Sequence, residues 1–160
     1  MESILHFILL IIIANGAPVF MHYVFGDFCA WPVDFGRPFL DGRPLLGKSK
    51  TWRGLIAAVL VTPVFAALLG YSLATGLLVA VYSMLGDMSS SFIKRRIGLQ
   101  SSSMAPFLDQ IPEALLPAIF LMDAFNLSIW SVMLIVLIFI VMEILLSRLL
   151  YKWGVRKQPY

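Results

Sequence analysis

The run LATGLLVAVYSML, residues Leu73–Leu85, leads straight into GDMSSSFIKRR, residues Gly86–Arg96. The first stretch is apolar enough to lie in lipid. The second holds a carboxylate, three serines and three consecutive cations. Ionised groups are costly inside a bilayer, so the junction reads as a membrane helix arriving at the water boundary. If the helix continues through Arg95, Asp87, Ser91 and Lys94 fall at i, i+4 and i+7, on one face. Gly98 is a stop signal just past the cations.

The rest of the chain agrees with a membrane setting. Its 160 residues are 60% hydrophobic and 13% charged, with a mean hydropathy of +0.90. A soluble domain is about 45–50% apolar and about 25% charged. Four more apolar segments flank the first: Ile4–Phe25, Leu55–Leu69, Ala114–Phe125 and Ser128–Leu150. The first and last have the roughly 20 residues a spanning helix needs. The middle three, Leu73–Leu85 included, are short and need flanking residues or a thinner bilayer to cross. The expected architecture is all-α: one polytopic membrane domain over residues 1–160 with about five transmembrane helices. MESILHF lacks the cations of a cleaved signal, so the first segment is expected to stay in the mature protein. The single cysteine, Cys29, excludes an intrachain disulfide and a thiolate metal site; it and His22 read as structural.

The cations set the orientation. Arg37, Arg43, Lys48, Lys50 and Arg53 lie between segments one and two, and Lys94, Arg95 and Arg96 follow segment three. Arg148, Lys152, Arg156 and Lys157 end the chain. All twelve therefore fall on one side of a five-span arrangement, and the links near Gly70–Ser72 and Asp123–Asn126 carry none. The positive-inside rule makes the basic side cytoplasmic, with the N-terminus outside and the C-terminus inside. The C-terminal cations read as topology alone. The net charge of +3 has no nucleic-acid motif behind it, so no nucleic-acid partner is expected.

Two loops on the basic side hold more than topology requires. The first, WPVDFGRPFLDGRPLLGKSKTWRG, is broken by glycine and proline into a shaped loop. Asp34, Asp41 and five cations alternate there with Phe35, Phe39, Leu40, Leu45 and Leu46, so the loop is expected to pack on the membrane face and aim some cations into a site. Gly42–Ser49, GRPLLGKS, fits the Walker A pattern, but that pattern works between a strand and a helix of a parallel sheet, and membrane helices on both sides leave no room for one. Glycine-turn amides and a lysine can still hold phosphate.

The second loop runs from Gly86 to DQIPE. Asp109 stands at the start of the next helix, opposite Asp87 at the end of the previous one. Two carboxylates converging at the water boundary suit Mg²⁺, especially when phosphates supply its other ligands. Simple charge balance is the competing reading, and the lipid border weighs against it.

These motifs resemble the CDP-archaeol synthase family of membrane-bound CTP-dependent lipid cytidylyltransferases. The resemblance rests on NGAPVF at Asn15–Phe20, on PVDFGRPFLDGRPLLGKSKTWRG at Pro32–Gly54, and on GDMSSSFIKRRIGL at Gly86–Leu99 followed by LDQ. Phosphatidate cytidylyltransferases share the GD…S…KR…D skeleton. The resemblance implies that CTP and a lipid phosphate give a CDP-lipid and pyrophosphate, with Mg²⁺, at a site facing the cytoplasm. It implies that Asp87 and Asp109 hold metal and that Lys94 and Arg95 meet phosphates. Lys48, Lys50 and Arg53 would line the nucleotide side, with Asn15, Asp34, Asp41 and Ser91 on the substrate side. Archaeal members often read D-Q-x-D where this chain has Asp109-Gln110-Ile111-Pro112, with Glu113 one place on. That leaves the role of Glu113 and the ether-lipid substrate open.

The chemistry fits the location. A lipid phosphate is already an anion, so the barrier is its repulsion from the triphosphate, which metal and cations relieve. A water-soluble nucleotide and a lipid headgroup meet only at the interface. Asn15, mid-span between Ala14 and Gly16, is either a cap in a kinked helix or a cleft wall. Glu143, inside the last segment, reads as reaching toward the cytoplasmic boundary. The alternative function is a small transporter or channel for an anionic solute; against it, the charges cluster in loops instead of along a path. A homo-oligomer stays open.

Overall fold

The computed structural model describes residues 2–101, 103, 105 and 107–155. Arg156 and Lys157, counted above with the C-terminal cations, lie outside the described residues. Five helices follow one another: α1 Glu2–Phe25, α2 Trp52–Leu68, α3 Leu73–Arg96, α4 Gln110–Phe120 and α5 Ile129–Lys152. Among the described residues there is no strand, and two isolated bridges, Pro32–Thr51 and Pro38–Pro44, shape the first loop.

α1, α3 and α5 have 24 residues each and are apolar enough to cross a membrane. α2 has 17 residues and α4 only 11. At 1.5 Å per residue α4 is about 16 Å long, against a hydrocarbon core of about 30 Å. It is flanked by turns at 107–109 and 121–126. α3 is continuous through Arg96, as the placement of Asp87, Ser91 and Lys94 on one face requires.

Side-chain oxygens open three of the helices. Thr51 accepts from Gly54 N at 3.2 Å, Ser72 from Thr75 N at 3.0 Å and Ser128 from Ser131 N at 3.2 Å. Each satisfies a backbone donor that the first helical turn leaves free. Helices in lipid associate through close packing of small residues. Gly86 shows this: a methyl group there would collide with the Pro112 carbonyl, so only glycine lets α3 lie this close to α4. Gly76 does the same for α3 against Pro63 and Ala66 of α2.

One polar seam runs through the bundle. Pro117 has no N–H, so the Glu113 carbonyl one turn earlier loses its helical partner. Ser83 of α3 donates its hydroxyl to that carbonyl at 3.0 Å, and the Asn15 amide of α1 donates to Ser83 Oγ at 3.0 Å and to Ile11 O at 3.0 Å. A proline gap in α4 is thus closed by a chain of side chains reaching back to α1.

The bundle has two unlike ends. At one, the α1 start and the α2–α3 and α4–α5 links meet in an aromatic cluster. Phe7 and Phe125 stand 4.7 Å apart, Tyr71 and Phe125 4.5 Å, and His6 and Tyr71 5.8 Å. Phe7 and Phe125 are fully buried. At the other end lie the two charged loops.

Candidate active site

The first loop is fastened by Asp34. One carboxylate oxygen accepts from Leu46 N at 2.8 Å and Gly47 N at 3.0 Å, and the other accepts from Gly36 N at 2.9 Å. Burial pushes the Asp34 carboxyl up, but these backbone donors outweigh it and hold its pKa below the ordinary value. Asp34 is therefore a staple for the stretch leading to Lys50. The Walker-like residues Gly42–Ser49 form bends, the Pro44 bridge and a turn, two residues before Thr51, the cap of α2.

Lys50 reaches down from this loop to α3. Its Nζ stands 2.5 Å from both carboxylate oxygens of Asp87. Burial would lower the Lys50 pKa, but the carboxylates of Asp87, Glu113 and Asp109 around it raise it instead, so it stays an ammonium. Glu113 of α4 is buried, with its carboxyl near that of Asp87. Lys94, also buried, places Nζ 2.7 Å from Asp109 Oδ1 and donates to Ser103 O at 3.2 Å. Two cation–acid pairs thus share one electrostatic neighbourhood with a third acid between α3 and α4. Ser91 and Arg95 are buried on the same helix. Arg95 passes beside Gly47, feels the Asp109 carboxylate, and has a buried Nε without a hydrogen-bond partner among the described residues.

Asp87, Asp109, Lys50, Lys94 and Arg95 therefore come together as the sequence suggests. Lys48 is exposed on the rim of the same loop. Three expected residues point elsewhere. Arg53 donates to the carbonyls of Phe28 and, at 2.8 Å, Gly26, and lies over the Phe25 ring. Asp41 pairs with Arg96 at 2.6 Å. Asn15 spends both amide protons on α1 and α3, while also lining a cavity of about 250 Å³ between α1 and α5 with Glu143 and Ser147. The Asn15 amide thus ties α1 to α3 through Ser83, and the carbonyl it donates to is Ile11 O, not the Ala14 carbonyl that Pro18 frees. Glu113 is the main addition. Its signal was legible: it falls four residues after Asp109, on the same face of a helix that begins there.

The cluster offers only hard oxygen donors, which suit Mg²⁺. Among the described residues no three acids converge as a ready metal cage.

The CarS-like family model, described as CDP-archaeol synthase, matches residues 1–75 and 68–160. The chain belongs to the CDP-archaeol synthase family. It is similar to the CDP-archaeol synthase of Sulfurisphaera tokodaii, 34% identical over 155 residues that cover 93% of this chain and 90% of that one. The CDP-archaeol synthase of Hyperthermus butylicus is 44% identical over 117 residues, 69% of this chain and 66% of the relative. A solved structure of an intramembrane enzyme for archaeal membrane lipids biosynthesis superposes with a TM-score of 0.74 at 28% identity, covering 89% of this chain and 90% of that one. The all-α, five-helix membrane architecture expected from the sequence is the one this chain shows, with three helices long and apolar enough to cross a membrane among the described residues.

Proposed function

We propose that this chain transfers a cytidylyl group from CTP to a membrane lipid phosphate, releasing pyrophosphate and leaving a CDP-lipid. The observation that carries the reading is the half-buried acid–cation cluster of Lys50, Asp87, Glu113, Lys94 and Asp109 at the charged end of a CDP-archaeol synthase-family bundle. Family membership favours an archaetidic-acid-like acceptor over phosphatidic acid.

The chain's own residues would act as follows. Lys50, Lys94 and Arg95 bring fixed positive charge to the polyphosphate, and Lys48 adds charge from the rim. Charge already fixed in place stabilises the transition state without reorganisation. The Gly47 turn, stapled by Asp34, sets the height of Lys50 over Asp87. The apolar cavity between α1 and α5 suits a hydrocarbon chain of the acceptor. Asp87 and Asp109, with Glu113 beside Asp87, would hold Mg²⁺, which when bound neutralises the triphosphate and aligns the attack on the α-phosphorus. The charged face is assigned to the cytoplasm because every cation in the sequence falls on that side. A transporter is not favoured, since the ionised groups gather at one end of the bundle instead of along a path through it.

The test is CDP-lipid formation by purified protein in detergent from labelled CTP and Mg²⁺. Isoprenoid ether-lipid phosphate and phosphatidic acid are offered in parallel. Product with the first acceptor is expected; no CDP-lipid with either removes the reading.

A further inference from the structure

Two arginines outside the acid–cation cluster interlock the loop and α3. Arg96, the last residue of α3, donates to Asp41 Oδ1 at 2.6 Å, to Arg43 O at 3.4 Å and to Pro44 O. Its guanidinium carbon lies 4.8 Å from the Phe39 ring centre and 4.9 Å from that of Phe92. Arg43 answers in the opposite direction, donating to the backbone carbonyls of Arg95, at 3.4 Å, and Arg96. Those carbonyls lie at the end of α3; Arg95 O also accepts from Gly98 N at 3.2 Å, and Arg43 adds a side-chain donor to both while Arg96 binds the loop.

The loop is shaped to receive this grip. Phe39 N donates to Arg43 O at 2.7 Å, and Arg43 N to Asp41 Oδ1 at 3.1 Å. The turn passes through Gly42 at φ +76, a conformation glycine takes without strain. A single ion pair near the surface is worth little. Here a planar fork bonds a carboxylate and two carbonyls while lying against two rings, which is a geometry that only arginine fills.

We infer that Arg96 and Arg43 are positioning residues for nucleotide binding: their exchange of contacts locks the Phe39–Pro44 turn onto α3 and so holds Lys50 over Asp87. The inference rests on the CTP reading of the site. The turn lies six residues from Lys50 along the chain, and Asp34 ties the intervening Leu46 and Gly47 in place. With the turn free, the loop cations would sample many positions, and ordering them would fall on substrate binding.

The test reads loop motion and kinetics separately. A nitroxide is placed on Leu40→Cys in a Cys29→Ser background, since Leu40 is 95% exposed at the turn. Arg96→Ala and Arg43→Ala should each sharpen the label's spectrum from immobilised to mobile. Each should raise KM for CTP about tenfold while kcat stays within about threefold, the signature of a lost contribution to binding. Arg96→Lys keeps the charge but not the fork and should behave like Arg96→Ala. The double variant should be little worse than either single one, because both hold one contact. An unchanged spectrum, or a fall in kcat at unchanged KM, overturns the inference. Full rescue by Arg96→Lys also overturns it, leaving charge alone as the cause. Wild-type protein runs alongside: if it forms no CDP-lipid, the functional reading fails, while the spectra still decide the interlock.

Discussion

The two ends of the bundle are made from opposite materials. At one end Phe7, Tyr71 and Phe125 close the helix ends with rings, and the nearby links carry no lysine or arginine. At the other, Lys50, Asp87, Glu113, Lys94 and Asp109 are gathered beneath a stapled loop. The aromatic end gains mainly from packing, with a polar contact of 3.4 Å between Tyr71 and His6. A charged end bears the cost of desolvating ions, which stable proteins avoid unless the ions are paired or serve a task. On the proposed function, stability rests mainly on one end and turnover on the other, so the two should separate under mutation.

The largest effect is expected at Asp87. Asp87→Asn keeps the side-chain shape and removes the charge that faces Lys50, so cytidylyl transfer should fall to near background. Asp109→Asn should behave alike, and the double variant should be little worse than either. The protein should still insert and purify normally, because the pair sits at the water boundary with each side chain about 20% exposed. Turnover with labelled CTP and the thermal midpoint, measured on the same preparation, check this. Near-normal turnover from a well-folded Asp87→Asn protein would break the division of labour.

The reverse outcome is expected at the aromatic end. Phe125→Ala removes a fully buried ring that touches both Phe7 and Tyr71, and the loss of packing should cost on the order of 3 kcal/mol. The thermal midpoint should drop clearly, while KM for CTP at low temperature stays near the wild-type value. If KM rises as much as stability falls, the ends are coupled more tightly than this division allows.

Much of the charged end was legible in the sequence because its signals are local. Asp87, Ser91 and Lys94 share a helical face by spacing alone, and Asp109 stands before an obvious helix start. What escaped was set by contacts between distant segments. Arg96 meets Asp41 across 55 positions, and Asn15 meets Ser83 across 68. No periodicity encodes such pairs. Arg53 looked like a nucleotide cation, yet the fold brings the carbonyls of Gly26 and Phe28 to it. Glu113 shares a helical face with Asp109 by spacing, but its closeness to Asp87 depends on Gly86 meeting Pro112.

A smaller effect should appear in the pH dependence of stability. The Asp34 pKa is lowered on folding, so its contribution is complete above the unfolded value of about 4 and is lost as pH falls through the folded value. The Lys50 pKa is raised, so its contribution is complete below the unfolded value of about 10.4 and is lost as pH rises through the folded value. The thermal midpoint in detergent should therefore fall on acidification below about pH 4 and again above about pH 10. Asp34→Asn should flatten the acid limb and leave the alkaline limb in place. An acid limb as steep in Asp34→Asn as in wild type would show that other carboxylates control it.

The smallest effect is expected from an acid at the wrong end. Asp123 is exposed in the α4–α5 link, and its backbone carbonyl, not its carboxylate, accepts from Asn126 N at 3.2 Å. Asp123→Asn keeps that turn and removes only a charge remote from the polar cluster. Stability should change by no more than about 0.5 kcal/mol, and turnover should match wild type. The same link carries the topological side of the comparison. Reporter fusions after Ser72 and Asn126 should read outside and a fusion at Tyr160 inside, because the basic loops lie on the opposite face. If Asp123→Asn lowers CDP-lipid formation severalfold in a well-folded protein, the aromatic end takes part in the reaction. If the reporters place Asn126 inside, the charged end faces away from cytoplasmic CTP. Either result would dissolve the contrast between the two ends.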